Sequence, residues 1–302
     1  MIFKGSLVAL VTPMLQDGAI DFAAFERLIL WHIENQTDGL VILGTTGESA
    51  TILEKERDAI IQFAIATAHK KIPVIVGTGS NATSHSIERT QKAMHLGADA
   101  VLLVTPYYNR PTQEGLFQHF SSIARSALIP QILYNVPSRT ACDLLPETIA
   151  RLVSFPNIVG VKEATGDLSR LQKLLALDLP LDYFSGDDKT AMDFMLQGGR
   201  GVISVTANVA PKKVHDLCEA SLAGDREKAS NIDQTLAPLY SALFVESNPI
   251  PTKWLLQKMG LIQGGIRLPL VPLSVMYQRQ VGTALSNHES RSVIGSRVSD
   301  VG

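Results

Sequence analysis

The sequence has little of what marks secreted, membrane and metal-binding proteins. Its two cysteines, Cys142 and Cys218, lie far apart and outside any metal-ligand spacing, so we predict reduced thiols and no disulfide framework. No apolar run approaches the roughly 20 residues that a membrane helix needs. The apolar segment 7–11 is too short for the core of a signal peptide and is soon followed by Pro13. We therefore expect a cytoplasmic protein with no membrane partner.

A surplus of one charge is lacking as well. The chain carries 27 lysines and arginines against 29 aspartates and glutamates, with no block of one sign, which excludes a basic surface for nucleic acid. The 7 histidines have no metal-ligand spacing, so we predict no metal site. What is present is an ordinary globular composition, 302 residues that are 45% hydrophobic, with enough apolar material for a large core. Small-molecule chemistry fits this composition best.

Short β-branched runs alternate with helical stretches along most of the chain. The helical stretches carry apolar residues at three- and four-residue spacing, as Phe25, Leu28, Ile29 and Ile33 do. Such alternation predicts parallel strands with right-handed crossovers, and eight strands close a barrel. The eight candidate strands are 7–11, 40–43, 74–76, 101–104, 132–134, 158–161, 183–185 and 202–205. We predict an α/β fold, a (β/α)8 TIM barrel over residues 1–210, with a C-terminal helical region at 211–285 and a polar, aperiodic tail at 286–302.

A lysine ends the sixth candidate strand. Lys162 follows the apolar segment 158–161, so a buried strand would deliver its amine to the strand end, where a cleft would lie. A solvated lysine titrates near 10.4, but apolar walls disfavour the ammonium form and so activate Schiff-base lysines. Taken alone, Lys162 has a simpler interpretation, a strand-end charge that reaches water or pairs with Glu163. The ends of the other strands decide between the two.

In a barrel of this kind the active site lies at the carboxyl ends of the strands, and several suitable side chains follow those ends. Tyr134 offers a proton shuttle, and the glycine-flanked turn 44–47 can bring backbone N–H groups and the Thr46 hydroxyl to an anion. Arg139 offers a planar fork for a second carboxylate. Each has a plain alternative: a tight turn, a core tyrosine, a surface arginine. Together with Lys162 they predict imine chemistry on a carbonyl substrate that carries a carboxylate.

A competing motif is the stretch 77–82, Gly-Thr-Gly-Ser-Asn-Ala, which matches the dinucleotide-binding fingerprint. Asp99 lies at the expected distance for the ribose-binding acid. That acid should end the next strand, whereas Asp99 precedes it, and Thr105 stands where the acid is needed. Nucleotide binding is therefore the weaker interpretation.

Over about residues 5–273 the chain resembles the pyruvate-dependent class I aldolases of the dihydrodipicolinate synthase family, and six motifs carry the resemblance. They are Gly44-Thr45-Thr46-Gly47-Glu48-Ser49, Pro106-Tyr107-Tyr108-Asn109-Arg110-Pro111, Tyr134-Asn135-Val136-Pro137-Ser138-Arg139, Gly160-Val161-Lys162-Glu163-Ala164, Ser185-Gly186-Asp187-Asp188 and Asn248-Pro249-Ile250-Pro251. As a set they are highly specific. Two threonines in the glycine turn and the arginine after Tyr-Asn-Val-Pro favour the synthase over the sialate lyases and sugar-acid aldolases of the same family.

The resemblance implies a role for each member of a larger set. Catalysis would fall to Lys162, Tyr134, Thr45 and Tyr108, and substrate binding to Thr46, Ile203, Arg139 and Gly186. Within that set, Lys162 would form the imine with pyruvate and Tyr134 would donate and accept protons, with Thr45 and Tyr108 completing the relay. Thr46 would meet the carboxylate of pyruvate, and Arg139 that of aspartate 4-semialdehyde. The tyrosine matching Tyr107 would enter the site of a neighbouring subunit.

The implied reaction condenses pyruvate with L-aspartate 4-semialdehyde on the route to diaminopimelate and lysine. It needs no metal or organic cofactor, because the lysine is the electrophilic catalyst. The resemblance also implies a homotetramer built from tight dimers. The open alternatives are a sialate or sugar-acid aldolase with the same lysine chemistry, a nucleotide-binding oxidoreductase, and a barrel that only binds metabolites.

The family's regulatory site is the place where this chain departs from the pattern. Residues that match the lysine-binding positions are present in part, as Ser49, Ala50, Asn81 and Tyr107. Two histidine positions are instead Glu54 and Arg57, and a glutamate that meets the ligand is His85. Replacing that carboxylate removes a partner for an ammonium group, although Glu54 offers a substitute. We predict weak or absent inhibition by lysine.

Overall fold

Eight parallel strands form a closed barrel, which confirms the predicted fold class. The computed structural model describes the backbone of residues 3–298 and the side chains of residues 3–286. Each strand pairs with the next along the chain, and β8 returns to pair with β1. The strands are β1 (Gly5–Ala9), β2 (Gly39–Ile42), β3 (Val74–Gly77), β4 (Ala100–Val104), β5 (Gln131–Asn135), β6 (Ile158–Glu163), β7 (Asp182–Ser185) and β8 (Gly201–Ser204).

Helices surround the barrel and continue beyond it. Those between the strands are α1 (Phe22–Glu34), α2 (Glu54–Ala68), α3 (Thr83–His95), α4 (Gln113–Ser126), α5 (Pro137–Thr140), α6 (Pro146–Leu152), α7 (Leu168–Leu175) and α8 (Ala191–Leu196). Those after β8 are α9 (Pro211–Leu222), α10 (Arg226–Ala242), α11 (Ile250–Lys258) and α12 (Val275–Val298). Polar residues start several of them: the carboxylates of Asp21 and Asp167 and the hydroxyl of Thr112 each accept a backbone N–H of the first turn.

The strands bury apolar side chains on both faces, which is why they appear in the sequence as near-continuous apolar runs. In β1, Leu7 and Ala9 point into the barrel, whereas Val8 packs outward among the helices. The barrel interior is filled by such alternate residues, including Ile132 and Phe184. Burying one side chain of this size contributes roughly 1.5–3 kcal/mol. The barrel is therefore a packed core that presents only its rim to a ligand.

The seam between β1 and β8 lies where the sequence signal was weakest. The predicted strand 7–11 begins two residues too late, because β1 starts at Gly5, which pairs with Gly201. A Cβ on Gly201 would lie 2.2 Å from the carbonyl oxygen of Gly5, so the two backbones approach closely enough to exclude a side chain. Glycine gives no strand signal of its own, and here it is what closes the barrel.

The last helix differs from expectation. α12 runs to Val298, past residue 285, where we expected the helical region to give way to an aperiodic tail. It packs against α10 and α11. The division of the chain into a barrel, a helical region and a tail otherwise stays a prediction. Over residues 3–298, the apolar stretch of each helix falls short of what crossing a membrane requires.

Candidate active site

A cavity of about 350 Å³ opens at the carboxyl ends of the barrel strands. It contains most of the side chains that the sequence selected, although they come from the ends of four different strands, β2, β5, β6 and β7. Six of the eight predicted catalytic and substrate-binding residues line it: Thr45, Thr46, Tyr134, Arg139, Lys162 and Gly186. The structure therefore brings together an amine, a phenol, two hydroxyls and a guanidinium in one small space.

Lys162 lies inside this cavity and is only 6% exposed. Its Nζ atom is 4.3 Å from the centre of the Tyr134 ring, on the neighbouring strand β5. Burial lowers the pKa of the Lys162 amine from 10.5 to about 7; the nearby Asp188 carboxylate raises the pKa and Arg139 lowers it, and both are smaller effects. That drop disfavours the ammonium form by about 5 kcal/mol. About half of the amines are then neutral at pH 7, against roughly one in 2500 for a solvated lysine.

The alternative interpretation of Lys162, an ion pair with Glu163, does not fit the structure. Neighbouring residues of a strand point to opposite faces, and Glu163 faces away from the barrel axis. Its carboxylate accepts hydrogen bonds from the backbone N–H of Thr165, at 2.8 Å, and from the Asn135 amide, at 3.1 Å. The amide of Asn135 also donates to Asp143, at 2.8 Å. These bonds tie the end of β6 to the end of β5 and leave the Lys162 amine to the cavity.

Gly186 makes room for the lysine. A Cβ at this position would lie 2.5 Å from the Cβ of Ala164 and 3.0 Å from the Cε of Lys162. Both distances are below ordinary contact, so any other residue would displace the lysine side chain or the end of β6. The structure thus gives Gly186 a clear steric role beside the amine.

Tyr134 is the phenol closest to the amine and is 7% exposed. Burial raises the pKa of its hydroxyl; the nearby Arg139 and a side-chain hydrogen bond with Thr45 lower it to a smaller extent. The phenol therefore stays protonated at neutral pH and can donate a proton to a developing oxyanion or accept one through the Thr45 hydroxyl. Tyr134 thus contacts both Thr45 and Lys162.

Thr46 lies on the turn that follows β2 and is 2% exposed. Its hydroxyl accepts a hydrogen bond of 2.9 Å from the amide of Asn248, a residue of the C-terminal region that also lines the cavity. Thr12 donates from its hydroxyl to the carbonyl of Gly47, at 2.8 Å. The sequence motif at 248–251 marked this region without giving Asn248 a role, because nothing local indicates that it reaches the turn.

Asp188 belongs to one of the sequence motifs, but its role could not be assigned from the sequence. Its buried carboxylate accepts hydrogen bonds from the backbone N–H groups of Val205, at 3.0 Å, and Thr206, at 2.9 Å. The Thr206 hydroxyl donates to it as well, at 2.9 Å. Burial raises the pKa of the carboxyl, while the hydrogen bond with Ser204 and those from Thr206 and Val205 lower it. Asp188 ties the end of β7 to the end of β8 and is the acidic group whose charge acts on Lys162.

The glycines of the fingerprint-like stretch 77–82 have a packing explanation. A Cβ on Gly77 would lie 2.2 Å from the carbonyl oxygen of Leu43, and one on Gly79 would lie 2.5 Å from the backbone nitrogen of Val104. Both glycines therefore let neighbouring strand ends approach each other. This accounts for the motif without a nucleotide.

Two predicted residues lie outside the cavity wall. Ile203 is 1% exposed and packs in the apolar cluster inside the barrel. Tyr108 is 92% exposed and has a left-handed backbone, with φ at 72°. Tyr107 instead lines a second cavity of its own chain, of about 440 Å³, which Arg139 also lines. Tyr108 is thus the tyrosine that projects from the chain, whereas we had assigned the reach into a neighbouring subunit to Tyr107.

The predicted regulatory residues are only partly together. Ser49, Ala50 and Tyr107 line the second cavity, while His85 is exposed on α3. The backbone carbonyl of Asn81 accepts a hydrogen bond of 2.9 Å from the side-chain amide of Asn109. Glu54 forms an ion pair with Arg89. The Glu54 carboxylate is therefore already paired, which makes it a poor substitute for the glutamate that His85 replaces.

One cluster of possible metal ligands lies elsewhere, on α9. His215, Asp216 and Glu219 bring ligand atoms within 4.8 Å of one another, the single such group within the described side chains. Each of the first two already has a partner: the His215 ring bonds to Asp38 at 3.1 Å, and Asp216 pairs with Lys212. The expectation that the enzyme needs no metal stays a prediction.

A closed barrel with a buried amine at its strand ends suits Schiff-base chemistry, and the comparisons with known proteins assign this protein to the class of Schiff-base-forming lyases. The chain belongs to the Dihydrodipicolinate synthetase family, whose model matches residues 2–288. It is 62% identical over 283 residues to the 4-hydroxy-tetrahydrodipicolinate synthase of Coxiella burnetii, covering 94% of this chain and 97% of that one. The enzyme of the same name from Nitrosococcus oceani is 56% identical over 288 residues, with 95% and 99% covered.

Solved structures agree with this assignment. The chloride-inhibited dihydrodipicolinate synthase of Acinetobacter baumannii, complexed with pyruvate, superimposes with a TM-score of 0.94 at 50% identity, over 95% of this chain and 99% of that one. The enzyme of Cyanidioschyzon merolae with lysine bound gives a TM-score of 0.92 at 36% identity, over 95% of this chain and 99% of that one.

Proposed function

We propose that this enzyme condenses pyruvate with L-aspartate 4-semialdehyde through an imine on Lys162, as a step toward diaminopimelate and lysine. The observation that carries the proposal is the buried Lys162 amine, whose pKa is lowered to about 7, packed against the Tyr134 phenol in a cavity with anion-binding groups. Its curated relatives carry the name 4-hydroxy-tetrahydrodipicolinate synthase. Catalysis is assigned to Lys162, Tyr134, Thr45 and Tyr108.

The first half of the reaction joins pyruvate to the enzyme. The neutral Lys162 amine attacks the ketone carbon, and the resulting carbinolamine loses its oxygen as water while Tyr134 supplies and removes protons. The positively charged imine draws electrons from the methyl group, which loses a proton to give an enamine. Thr45, hydrogen-bonded to Tyr134, extends the path by which those protons move.

The second half forms the carbon–carbon bond. The enamine carbon attacks the aldehyde of the second substrate, whose oxygen takes a proton to become a hydroxyl. The amino group of that substrate then attacks the imine carbon, closes the ring and releases Lys162 as a free amine. Nothing is oxidised or reduced, so the side chains of the cavity supply all that the steps require.

Two anion sites fit the two carboxylates. Thr46 and the backbone N–H groups of the turn 44–47 face the cavity near Lys162 and suit the carboxylate of pyruvate. Arg139 lies at the cavity mouth, on the short helix α5, and suits the carboxylate of the aldehyde substrate. Gly186 keeps space for the amine, and Ile203 packs in the apolar cluster inside the barrel.

The exposed Tyr108 supports an assembly in which one subunit completes the site of another. A tyrosine that is 92% exposed gains nothing from its own chain, whereas a partner subunit would bury it. We therefore assign the reach into a neighbour to Tyr108, within a tight dimer and a homotetramer of two such dimers.

The decisive experiment is reduction with borohydride in the presence of pyruvate, followed by peptide mass mapping. The expected result is one pyruvate adduct, on Lys162, and loss of that adduct in Lys162→Ala together with a rate loss of roughly three or more decades. An adduct on another residue contradicts the mechanism. Assays with aspartate 4-semialdehyde and with sugar aldehydes then separate the synthase from a sialate or sugar-acid aldolase.

A further inference from the structure

The turn 44–49, which the proposed function assigns to pyruvate, contains few contacts that would hold its own conformation. Leu43 and Glu48 flank its core with left-handed backbones, at φ values of 54° and 56°, a conformation that residues other than glycine rarely adopt. Within the turn, backbone hydrogen bonds join Glu48 to Thr45 at 3.1 Å and Ser49 to Gly44 at 3.3 Å. Such a conformation persists only where the surroundings enforce it.

An ion pair enforces it from outside the barrel. The carboxylate of Glu48 meets the ammonium of Lys253, a residue of α11, and the two side chains are 1% and 4% exposed. The second carboxylate oxygen accepts the backbone N–H of Arg267, at 3.2 Å. A buried pair of this kind adds little net stability, because removing two charges from water offsets their attraction. Its best-attested use is to fix one arrangement of the chain among several.

The same helical segment holds the middle of the turn. Asn248, just before α11, donates from its amide to the Thr46 hydroxyl at 2.9 Å. The Thr252 hydroxyl donates in turn to the side-chain amide oxygen (Oδ1) of Asn248, at 3.4 Å. The beginning of α11 therefore holds both Thr46 and Glu48, two residues of one turn, through contacts that reach across more than 200 residues of chain.

We infer that Glu48 and Lys253 are positioning residues, which hold the turn 44–49 so that Thr45 and Thr46 face the pyruvate carboxylate and the proton-relay phenol. The C-terminal helical region then helps to position the active-site turn, although neither Glu48 nor Lys253 touches the substrate. This inference rests on the proposed function, since it assigns the turn to pyruvate.

The test compares Lys253→Met, Glu48→Gln and the double variant in the full-length enzyme. Lys253→Met leaves a buried carboxylate without its partner, so the turn moves toward water. The KM for pyruvate is expected to rise roughly tenfold or more, the factor that a hydrogen bond to a charged group is worth, and to rise by more than kcat falls. The double variant is expected to recover part of the loss, because glutamine and methionine leave no unpaired charge.

The control for a merely structural role is Ile149→Ala, a fully buried residue of α6 that packs on the far side of the barrel, against α4. It should lower the melting temperature without changing the KM for pyruvate. Lys253→Arg, which keeps the charge, should retain more of the affinity for pyruvate than Lys253→Met. A KM for Lys253→Met within twofold of wild type, or an equal rise in Ile149→Ala, would overturn the inference.

Amide hydrogen exchange separates this inference from the proposed function. Lys253→Met should speed exchange in residues 44–49 relative to the strands, whatever the substrate proves to be. If wild type forms no pyruvate adduct on Lys162, the proposed function fails while faster exchange still supports the tether. If exchange in the turn is unchanged, the tether fails even where wild type forms the adduct.

Discussion

Replacing Gly186 by alanine should disable the enzyme by displacing its lysine. The new Cβ would lie 2.5 Å from the Ala164 Cβ and 3.0 Å from the Lys162 Cε. Carbon atoms pack at about 3.5–4.0 Å, so relief of the closer contact requires a movement of about 1 Å. A misplacement of that size in a reacting group costs about a hundredfold in rate. The overpacking itself should lower the free energy of unfolding by only about 1–3 kcal/mol.

The assay measures kcat/KM and the rate of borohydride trapping with pyruvate, at a temperature where the variant is folded. Gly282→Ala is the matched control, because its Cβ would meet only Trp254 at an ordinary 3.6 Å, and it should keep full activity. Adding Ala164→Gly to Gly186→Ala removes the closer clash and should recover part of the trapping rate. A folded Gly186→Ala that traps pyruvate at the wild-type rate would refute the steric reasoning.

Three further predictions follow from the same site. The rate of pyruvate trapping at saturating pyruvate should increase as pH rises through about 7, because burial lowers the pKa of Lys162 to that value and only the neutral amine attacks. A pH–rate profile with its midpoint near 10 would contradict this. Asp188→Asn removes the negative charge that raises this pKa, so the midpoint should move to lower pH, and an upward shift would refute the assignment. Micromolar lysine should leave activity unchanged, because His85 replaces the glutamate of the family pattern and Glu54, paired with Arg89, is a poor substitute; inhibition in that range would contradict this.

The barrel and the rim of the site were predictable because their signals are local. Each strand ends a short apolar run, and parallel strands place their carboxyl ends together, so reading the residues after each run collects Lys162, Tyr134 and Arg139 on one rim. The short helices α5 and α6 carry no such signal, since each begins at a proline and spans too few residues to show a helical period.

What the sequence could not predict is the set of contacts that support the rim. Asp188 follows β7 and was noticed, but its partners Val205 and Thr206 follow β8. Lys253 lies 205 residues from Glu48, with no periodicity or spacing to join them. Buried polar groups find partners wherever the fold brings them, so their pairing is information that only the folded chain contains.

The pairing of β1 with β8 also determines when the barrel can close during synthesis. Gly5 of β1 finds its partner Gly201 only after the rest of the barrel sequence has been made. At a synthesis rate of about 5–20 residues per second, β1 waits roughly 10 to 40 seconds for that edge to be covered. Until then, the backbone groups and apolar side chains of its unpaired edge are open to other chains. The edge of β1 therefore stays exposed while the chain is being synthesised, and the pairing of Gly5 with Gly201 ends that exposure.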